Sequence, residues 1–453
     1  MNIYLNVEIS TRELDSKILL AIIAAARGHQ VLISDMSGID RGFRSKLLAP
    51  GIFHTKCLTP FENKIKFHQT LIDNGYMVTS IDEEAGLDLV DYENFSKARY
   101  SENAIQQSSA VFTWGDFDQN FLSEKFPKYK SKIFKTGSPR FDLLKKTFSK
   151  YWTDVKLTPK RSFLLVSSNM GMANHIKPFH EIIKENKHLG YYEREAKTFK
   201  SDFYWAAEDY RKTYYFIEAI KYLADNSSGF DIIFRPHPIE DIQSWKLYLE
   251  NLPNVHVIRE GTITPWINNC FALMHSGCTS AIEATVAEKP VISYVPFQAS
   301  YSATLTNKLG YCVDSFEKLS NTVNDIFEGR LSINQNNLTR LSSNKIYLDR
   351  NELAAKKIIK IWESLDNGKL SRPSRWGMYR SVLKIADTKH MIGRFLRKLF
   401  PDRFSNYRQD FKFFPLDKDD IINRITKLKN IIEIKEQLEV KILSKRTILI
   451  RKF

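Results

Sequence analysis

The chain has 453 residues, of which 43% are hydrophobic and 26% are charged, a composition typical of a folded globular protein. Its net charge is +15, and residues 367–453 carry +13 of it, with 22 basic and 9 acidic side chains. A nucleic-acid-binding body would spread basic residues over its main surface, so this distribution argues against a nucleic acid partner and predicts a near-neutral body. The length predicts two domains followed by a basic C-terminal tail.

The composition predicts a cytoplasmic protein. The four cysteines have neither the CxxC spacing of a zinc site nor the pattern of a disulfide framework. The first residues lack the basic and apolar regions of a signal peptide, and the longest apolar run, Leu19–Ala26, is too short to cross a bilayer. We therefore expect any membrane contact to be peripheral, on the inner face of the cytoplasmic membrane.

Strand and helix patterns alternate over the first third of the chain. Asn2–Glu8 is predicted as a buried strand, and a helix is predicted over Thr11–Arg27. Later apolar runs predict the strands Gln30–Ser34, Tyr76–Ile81, Ala110–Trp114 and Ile133–Thr136. This alternation predicts a parallel sheet with helices on both faces.

The same pattern begins again after a Lys-rich segment at 145–161. Its predicted strands are Phe163–Ser167, Asp231–Arg235, Val255–Arg259, Phe271–His275 and Pro290–Tyr294, with a long helix over Tyr204–Ala224. The chain is therefore predicted to form two doubly wound, Rossmann-like domains, 1–155 and 156–345, and a closing helix at 346–366. Such domains bind ligands in a cleft at the carboxyl ends of their strands.

The tail, residues 367–453, differs from both domains. It mixes Arg and Lys with aromatic side chains up to residue 415, and it carries Ile and Leu at helical spacing from residue 419 onwards. Helices that lie on anionic membrane surfaces combine these residue types. We predict a helical tail that binds such a surface, and a helical hairpin packed on the body or a coiled-coil dimer element are the alternatives.

The strand Asp231–Arg235 runs directly into a Pro-stiffened motif, RPHP. Its Arg235 offers a guanidinium fork for phosphate, and His237 can donate to a phosphate oxygen or move a proton. Pro236 and Pro238 restrict the loop that holds them. We predict a phosphate site at this strand end.

Small polar residues follow the strand Phe271–His275 and precede a helix. Loops of this kind bind anions through hydroxyls and backbone N–H groups, although an ordinary helix N-cap is the alternative. The predicted nucleotide contacts here are Ser276, Gly277, Thr279, Ser280 and Glu283. The loop after Phe163–Ser167 adds Asn169 as a nucleotide contact and His175 as a sugar contact.

Three acids follow the strand Tyr76–Ile81. Mutual repulsion of Asp82, Glu83 and Glu84 is expected to raise the pKa of at least one of them, so that Glu83 or Glu84 acts as a general base or nucleophile. An acidic helix start is the alternative. Other strand ends supply candidate acceptor or sugar contacts, namely Glu8, Arg12, Lys56, Asp116 and Arg140.

Several well-known site motifs are missing from the sequence. It contains no GxGxxG, Walker, HExxH or GxSxG motif, which argues against dinucleotide oxidoreductases, P-loop NTPases, zincins and serine hydrolases. We therefore expect neither a metal nor a cofactor, with Arg, His and helix N-termini offsetting the charge of a leaving nucleotide.

An ordered set of short motifs between about residue 3 and residue 300 resembles the bacterial surface carbohydrate biosynthesis proteins. These are similar to GT-B glycosyltransferases related to capsule Kdo transferases and bacterial polysialyltransferases. The motifs are VEISTRELDSK, LAPGIFHTK, DEEAG, TWGDFD, TGSPRFDLL, SSNMGMANH, FRPHPIED and HSGCTSAIEATVAEKPVISY. The resemblance does not extend to residues 367–453.

The resemblance implies a GT-B-like fold and a CMP-activated donor carrying Kdo or another nonulosonic acid. The acceptor would be a glycan or lipid-linked glycan of the bacterial surface. In such transferases an HP motif and a Ser/Thr-rich motif hold CMP, which here implies His237 and Pro238 together with Ser276, Thr279 and Ser280.

The resemblance further implies that the acidic motif supplies the catalytic carboxylate, Glu84 or Glu83. The sequence departs from the family pattern at Ala85, which separates these acids from Gly86, and at Cys278, where a hydroxyl is usual. Two other functions stay open, a teichoic-acid-type transferase that uses a CDP-polyol and a non-catalytic membrane scaffold of glycan assembly.

Overall fold

The computed structural model describes residues 1–85, 92–152, 161–195, 197–299, 305–333, 345–349, 351–366, 373–399 and 413–453. Two separate sheets organise these residues, one of eight strands and one of six. The predicted domain boundary between residues 155 and 156 lies outside the described residues.

The first sheet is built mainly from the N-terminal part of the chain. Its strands there are β1 (Asn2–Asn6), β2 (Gln30–Ser34), β3 (Ile52–Thr55), β4 (Met77–Ile81), β5 (Ser108–Thr113) and β6 (Ile133–Lys135). The accompanying helices are α1 (Ser10–Ala26), α2 (Met36–Arg44), α3 (Glu62–Asp73), α4 (Tyr92–Arg99), α5 (Glu102–Gln107), α6 (Asp116–Lys125), α7 (Pro139–Asp142) and α8 (Ser149–Trp152). These six strands are parallel in the order β2-β1-β3-β4-β5-β6. Strand β3 has only four residues and was not predicted.

The second sheet is parallel throughout. Its strands are β7 (Phe163–Ser167), β8 (Asp231–Arg235), β9 (Val255–Val257), β10 (Ala272–His275), β11 (Val291–Tyr294) and β12 (Tyr311–Val313), in the order β12-β11-β10-β7-β8-β9. Its helices are α9 (Phe179–His188), α10 (Phe199–Asn226), α11 (Ile242–Tyr248), α12 (Thr264–Asn269), α13 (Ser280–Val286) and α14 (Phe316–Phe327). The sheets and their helices confirm the predicted α/β class with two Rossmann-like domains.

Helix α1 lies at the centre of the molecule. Nearly all of its side chains are buried, because it is apolar on every face from Ile18 to Ala25. One continuous apolar cluster joins α1 to residues of both sheets, among them Ile233 and Leu273 of the second. The two domains are therefore packed against each other and not merely linked.

The chain returns to the first domain after the second sheet. Part of the predicted closing segment, 346–366, forms α15 (Ala354–Leu365), which packs on α1 and α7. The helix begins at Ala354, later than predicted. Before it, Tyr347 donates its backbone N–H to the carbonyl of Trp114 (2.6 Å). In α15, Trp362 Nε1 donates to Thr79 Oγ1 (3.1 Å), which fixes the helix over β4.

The tail is only partly helical. It forms α16 (Trp376–Leu399), α17 (Lys418–Ile431) and a hairpin of β13 (Leu438–Ser444) and β14 (Thr447–Lys452). The prediction of helix over residues 438–452 is wrong, because β14 pairs antiparallel with β2 and thereby covers an otherwise open sheet edge. None of the described helices is long and apolar enough to span a bilayer.

Candidate functional site

Three strand ends of the second domain lie side by side, since β7 has β10 and β8 as its neighbours. Ser168, after β7, accepts the backbone N–H of His237 on its Oγ (3.0 Å). Asn169 donates from Nδ2 to the carbonyl of Gly277, after β10 (3.3 Å). The structure thus brings the predicted RPHP loop, the 276–280 loop and Asn169 together.

The buried Glu240 holds this arrangement in place. Its Oε2 accepts from Ser168 Oγ (2.7 Å) and Trp245 Nε1 (2.6 Å), and its Oε1 accepts from the Met170 N–H (2.8 Å). Burial raises the pKa of Glu240 to about 7, although the three donors oppose this. Glu240 was not among the predicted site residues, although its place two residues after the RPHP motif was a usable signal.

His237 is set up as a hydrogen-bond donor. Its Nδ1 accepts the N–H of Ile239 (3.3 Å), so in the neutral ring the proton sits on Nε2. Burial, and next the positive charge of Arg12, lower the pKa of His237 to about 4. The ring is therefore neutral near pH 7 and offers Nε2–H to a ligand.

The loop from Ser276 to Ser280 is held from both sides. Gly277 adopts a φ of +74°, a conformation that favours glycine, and its N–H donates to Asn307 Oδ1 (2.7 Å). The N–H of Cys278 donates to His275 Nδ1 (3.3 Å). Within the described residues, the buried Ser280 Oγ has no hydrogen-bond partner. A ligand oxygen at this loop would satisfy that hydroxyl.

Arg235 occupies a different environment from the one predicted. Its guanidinium donates to three backbone carbonyls, those of Arg259, Glu260 and Gly261, at 2.9–3.3 Å, and it lies 5.3 Å from the ring centroid of Trp266. Burial lowers the pKa of Arg235 to about 10. These contacts hold the 259–261 loop against β8, and phosphate binding by Arg235 stays a prediction.

The carboxylate Glu84 lies between two arginines at the end of β4. It accepts from Arg99 Nη1 (2.9 Å) and Arg12 Nη2 (3.4 Å). Burial raises the pKa of Glu84, but the arginines more than offset it, so the pKa falls to about 2. Arg99 also binds Asp82 through Nε (2.8 Å). Arg99, on α4, was not among the predicted site residues.

Glu83 belongs to a buried ion pair. Its Oε1 accepts from Lys17 Nζ of α1 (2.8 Å), and the two side chains are 3% and 1% exposed. Burial raises the pKa of Glu83, but Lys17 and Arg140 outweigh it and leave the pKa below its usual value. The expectation that the clustered acids raise a pKa is therefore wrong for Glu83 and Glu84, because nearby cations outweigh their mutual repulsion.

The remaining first-domain candidates fall into two places. Glu8 forms an ion pair with Lys56, and the pKa of Lys56 is raised, since Glu8 and Cys57 outweigh burial. Asp116 pairs instead with Lys135 across neighbouring strand ends (2.7 Å).

Within the described residues, no group of three or more His, Cys, Asp or Glu side chains has the geometry to hold a metal ion.

Candidate residues of the two domains lie close together. Arg12 and Glu84 of the first domain both act on the pKa of His237, Arg12 lowering it and Glu84 raising it, so their charges lie within electrostatic range of the RPHP loop. Arg140 of the first domain links the two sides, because it binds Glu283 of α13 and donates from Nη1 to the carbonyl of Glu83 (3.3 Å). Phosphate-directed and carboxylate groups therefore share one interdomain site.

Sequence comparison finds no matching family model and no matching curated protein. Among solved structures, one of the wall teichoic acid polymerase TagF with CDPG is similar, with a TM-score of 0.51 and 10% identity over 82% of this chain and 90% of that one. UDP-GlcNAc 2-epimerase from Methanocaldococcus jannaschii, in complex with UDP-GlcNAc and UDP, has a TM-score of 0.49 at 12% identity and covers 80% of this chain and 100% of its own. The enzyme from Neisseria meningitidis, bound to UDP-GlcNAc, has a TM-score of 0.47 at 13% identity, again over 80% and 100%. The likeness concerns the fold, and the chain has a GT-B-like architecture of two Rossmann-like domains.

Proposed function

We propose that the chain is a glycosyltransferase that moves a CMP-activated keto-sugar acid, Kdo or another nonulosonic acid, onto a bacterial surface polysaccharide. The observation that carries this proposal is the contact between the two domains, where Arg140 binds Glu283 next to the loop Ser276–Ser280 and donates to the carbonyl of Glu83 in the acidic motif. A transferase of this kind needs a group that binds the leaving phosphate and a carboxylate near the sugar. The motif resemblance supplies the donor class.

On the nucleotide side, His237 donates from Nε2 to the CMP phosphate. The loop Ser276–Ser280 receives the nucleotide, and the unpartnered hydroxyl of Ser280 is one of its donors. Asn169 holds this loop through Gly277. Burial of these donors strengthens their interaction with the charge that develops on the leaving group.

On the sugar side, Glu84 is the better candidate for the reacting carboxylate. Its side chain is 34% exposed and pairs with Arg12 and Arg99, whereas Glu83 is 3% exposed and bound to Lys17. A pKa of about 2 makes Glu84 a weak base but keeps it ionised, which suits a nucleophile or an electrostatic stabiliser. Glu83 positions the loop.

A teichoic-acid-type transferase that uses CDP-glycerol is the second candidate. TagF, whose structure contains CDPG, has a TM-score above 0.5 with this chain. CDP-glycerol also contains a cytidine phosphate, which a neutral His237 would bind. The two candidates therefore differ mainly in the group beyond the phosphate.

Thermal unfolding with added ligands separates the two candidates. CMP and CMP-Kdo should raise the melting temperature, because a ligand at 100 times its Kd stabilises the fold by about 2.7 kcal/mol. UDP is the control nucleotide. Stabilisation by CDP-glycerol but not by CMP-Kdo would overturn the keto-sugar assignment.

We also propose that α16 is the part of the tail that binds an anionic membrane. Its buried side chains, Tyr379 and Leu383, face the first domain, whereas Met378, Ile385 and Ile392 recur every seven residues and are 52–59% exposed. The helix holds six Lys and Arg against one Asp. Exposed apolar residues flanked by cations are the composition of an interfacial helix.

Substitution of two α16 residues should release the protein from anionic vesicles. In flotation with phosphatidylglycerol vesicles, Ile385→Glu/Ile392→Glu should reduce binding by roughly tenfold or more, because two apolar contacts are lost and two charges are repelled. Ile422→Glu, on α17 and 40% exposed, is the matched control. Unchanged flotation of the double variant would show that α16 does not make the contact.

A further inference from the structure

A short loop, residues 189–195, follows α9 and reaches the first domain. It turns sharply, since Gly190 and Glu195 have φ values of +68° and +55°. Asp202 of α10, 1% exposed, braces it by accepting from Tyr192 Oη (2.7 Å) and from Asn186 Nδ2 of α9 (2.8 Å). The 189–195 loop is therefore anchored to both helices. None of its residues was a predicted site residue.

Arg194 of this loop makes the contact with the first domain. Its guanidinium carbon lies 5.3 Å from the ring centroid of Phe61 and 5.2 Å from that of Tyr191, and the two rings pack edge to face at 5.6 Å. Its Nη1 donates to the carbonyl of Pro60 (3.4 Å). The loop thus joins the second domain to the segment 57–61, which follows β3.

The charge of Arg194 has no counter-ion. Its Nε and Nη2 atoms are buried and make no hydrogen bond within the described residues, and none of the carboxylates there forms an ion pair with it. These two atoms lie on one edge of the guanidinium, at a spacing that matches the two oxygens of a carboxylate. A buried cation without a partner is strongly unfavourable, so this edge indicates an anionic ligand.

Lys64 of α3 is a second cation without a carboxylate partner among the described residues. Its Nζ donates to Cys57 Sγ (3.0 Å) and Thr59 Oγ1 (3.3 Å), which belong to the segment that Arg194 contacts. Burial raises the pKa of the Cys57 thiol, but Lys64 and Arg99 more than offset it. Arg99 differs from both cations, because it is bonded to carboxylates.

The 189–195 loop lies close to the proposed reacting carboxylate. Burial raises the pKa of Tyr191, and Glu84 adds to this rise while Arg99 opposes it, so both charges lie within electrostatic range of the loop. In a keto-sugar acid the carboxylate is attached to the anomeric carbon. A site that binds it must therefore lie beside the group that attacks or stabilises that carbon.

We infer that Arg194, assisted by Lys64, binds the carboxylate of the transferred sugar, an inference that rests on the proposed function. Nε and Nη2 of Arg194 would each donate to one carboxylate oxygen, and Lys64 would add a second positive charge. The phosphate of the donor is left to His237 and the loop Ser276–Ser280. CDP-glycerol carries no carboxylate, so Arg194 would favour a sugar-acid donor over a polyol donor.

Calorimetric titration of the full-length protein with CMP-Kdo and with CMP tests this inference. The wild type should bind CMP-Kdo more tightly than CMP. Arg194→Leu should weaken binding of CMP-Kdo by about 10–100-fold, the cost of a charge-assisted hydrogen-bonded pair, and leave the affinity for CMP unchanged. Arg194→Lys should recover part of the loss. Arg211→Leu is the matched control, because Arg211 is an exposed arginine of α10 that lies 4.1 Å from the ring centroid of Phe297.

A pair of sugar ligands separates the carboxylate from the phosphate. In saturation-transfer NMR with CMP present, the methyl ketoside of Kdo should bind the wild type, and its methyl ester should not. Arg194→Leu should melt at or above the wild-type temperature, since it removes a cation without a counter-ion, whereas loss of a purely structural arginine would lower it. Equal weakening of CMP and CMP-Kdo by Arg194→Leu, or equal binding of ketoside and ester, would overturn the carboxylate site. Failure of the wild type to bind CMP would instead refute the donor assignment.

Discussion

Replacing His237 with alanine should lower the rate of sugar transfer by about 10²–10³-fold, the usual cost of removing one preorganised donor to a developing negative charge. The ring accepts one backbone N–H, from Ile239, and it is half-buried at the interdomain site, so the fold should be retained. Initial rates with CMP-Kdo measure the loss of transfer, and a melting curve of the variant shows whether the fold is retained.

A second histidine of the same domain serves as the control. His180 is exposed on α9, and His180→Ala should transfer at the wild-type rate. The pH profile of transfer adds a further check. Because the pKa of His237 is about 4, its ring is already neutral at pH 6.5, and the rate should show no change at that pH from titration of this residue. Wild-type turnover by His237→Ala would remove this residue from the mechanism.

Lys17→Met should be the most destabilising single change near the site, lowering the free energy of unfolding by about 3–5 kcal/mol. It would leave the Glu83 carboxylate buried without the cation to which it is bonded at 2.8 Å. The double variant Lys17→Met/Glu83→Leu should regain most of the loss, since a buried ion pair can be exchanged for apolar side chains at little cost. Urea unfolding of the wild type, the single variant and the double variant measures these free energies.

An exposed ion pair is the appropriate comparison. Lys318 and Asp314 are 65% and 61% exposed, so Lys318→Met should change the free energy of unfolding far less than Lys17→Met does. If Lys17→Met were as stable as Lys318→Met, Glu83 would not depend on Lys17. The role of Glu83 as a positioning residue would then lose its basis.

The strand ends that carry the site were predictable because apolar runs indicate buried parallel strands directly. β7 and β8 have the predicted bounds, and the polar residues that follow them come together as the topology requires. The pairing of charges was not predictable in the same way. Lys17 lies within an otherwise apolar helix, and Arg99 follows the carboxylates it binds by 15 residues or more.

The tail shows the limit of periodicity more clearly. Apolar residues at helical spacing correctly indicated α17, but the pattern changes to alternation at Leu438, Val440 and Ile442. The hairpin turn at Lys445 and Arg446 contains no Gly, Asn or Asp to mark it. The pairing of β14 with β2, more than 400 residues apart in sequence, then fixes this segment as strand.

A crystal structure with CMP soaked in tests the central claim most directly, because it locates the nucleotide without any assumption about the acceptor. The account predicts the CMP phosphate within hydrogen-bond distance of His237 Nε2 and the ribose or phosphate against the loop Ser276–Ser280, with Glu84 facing the open side of the phosphate. A nucleotide bound away from His237, or no nucleotide at millimolar CMP, would contradict it.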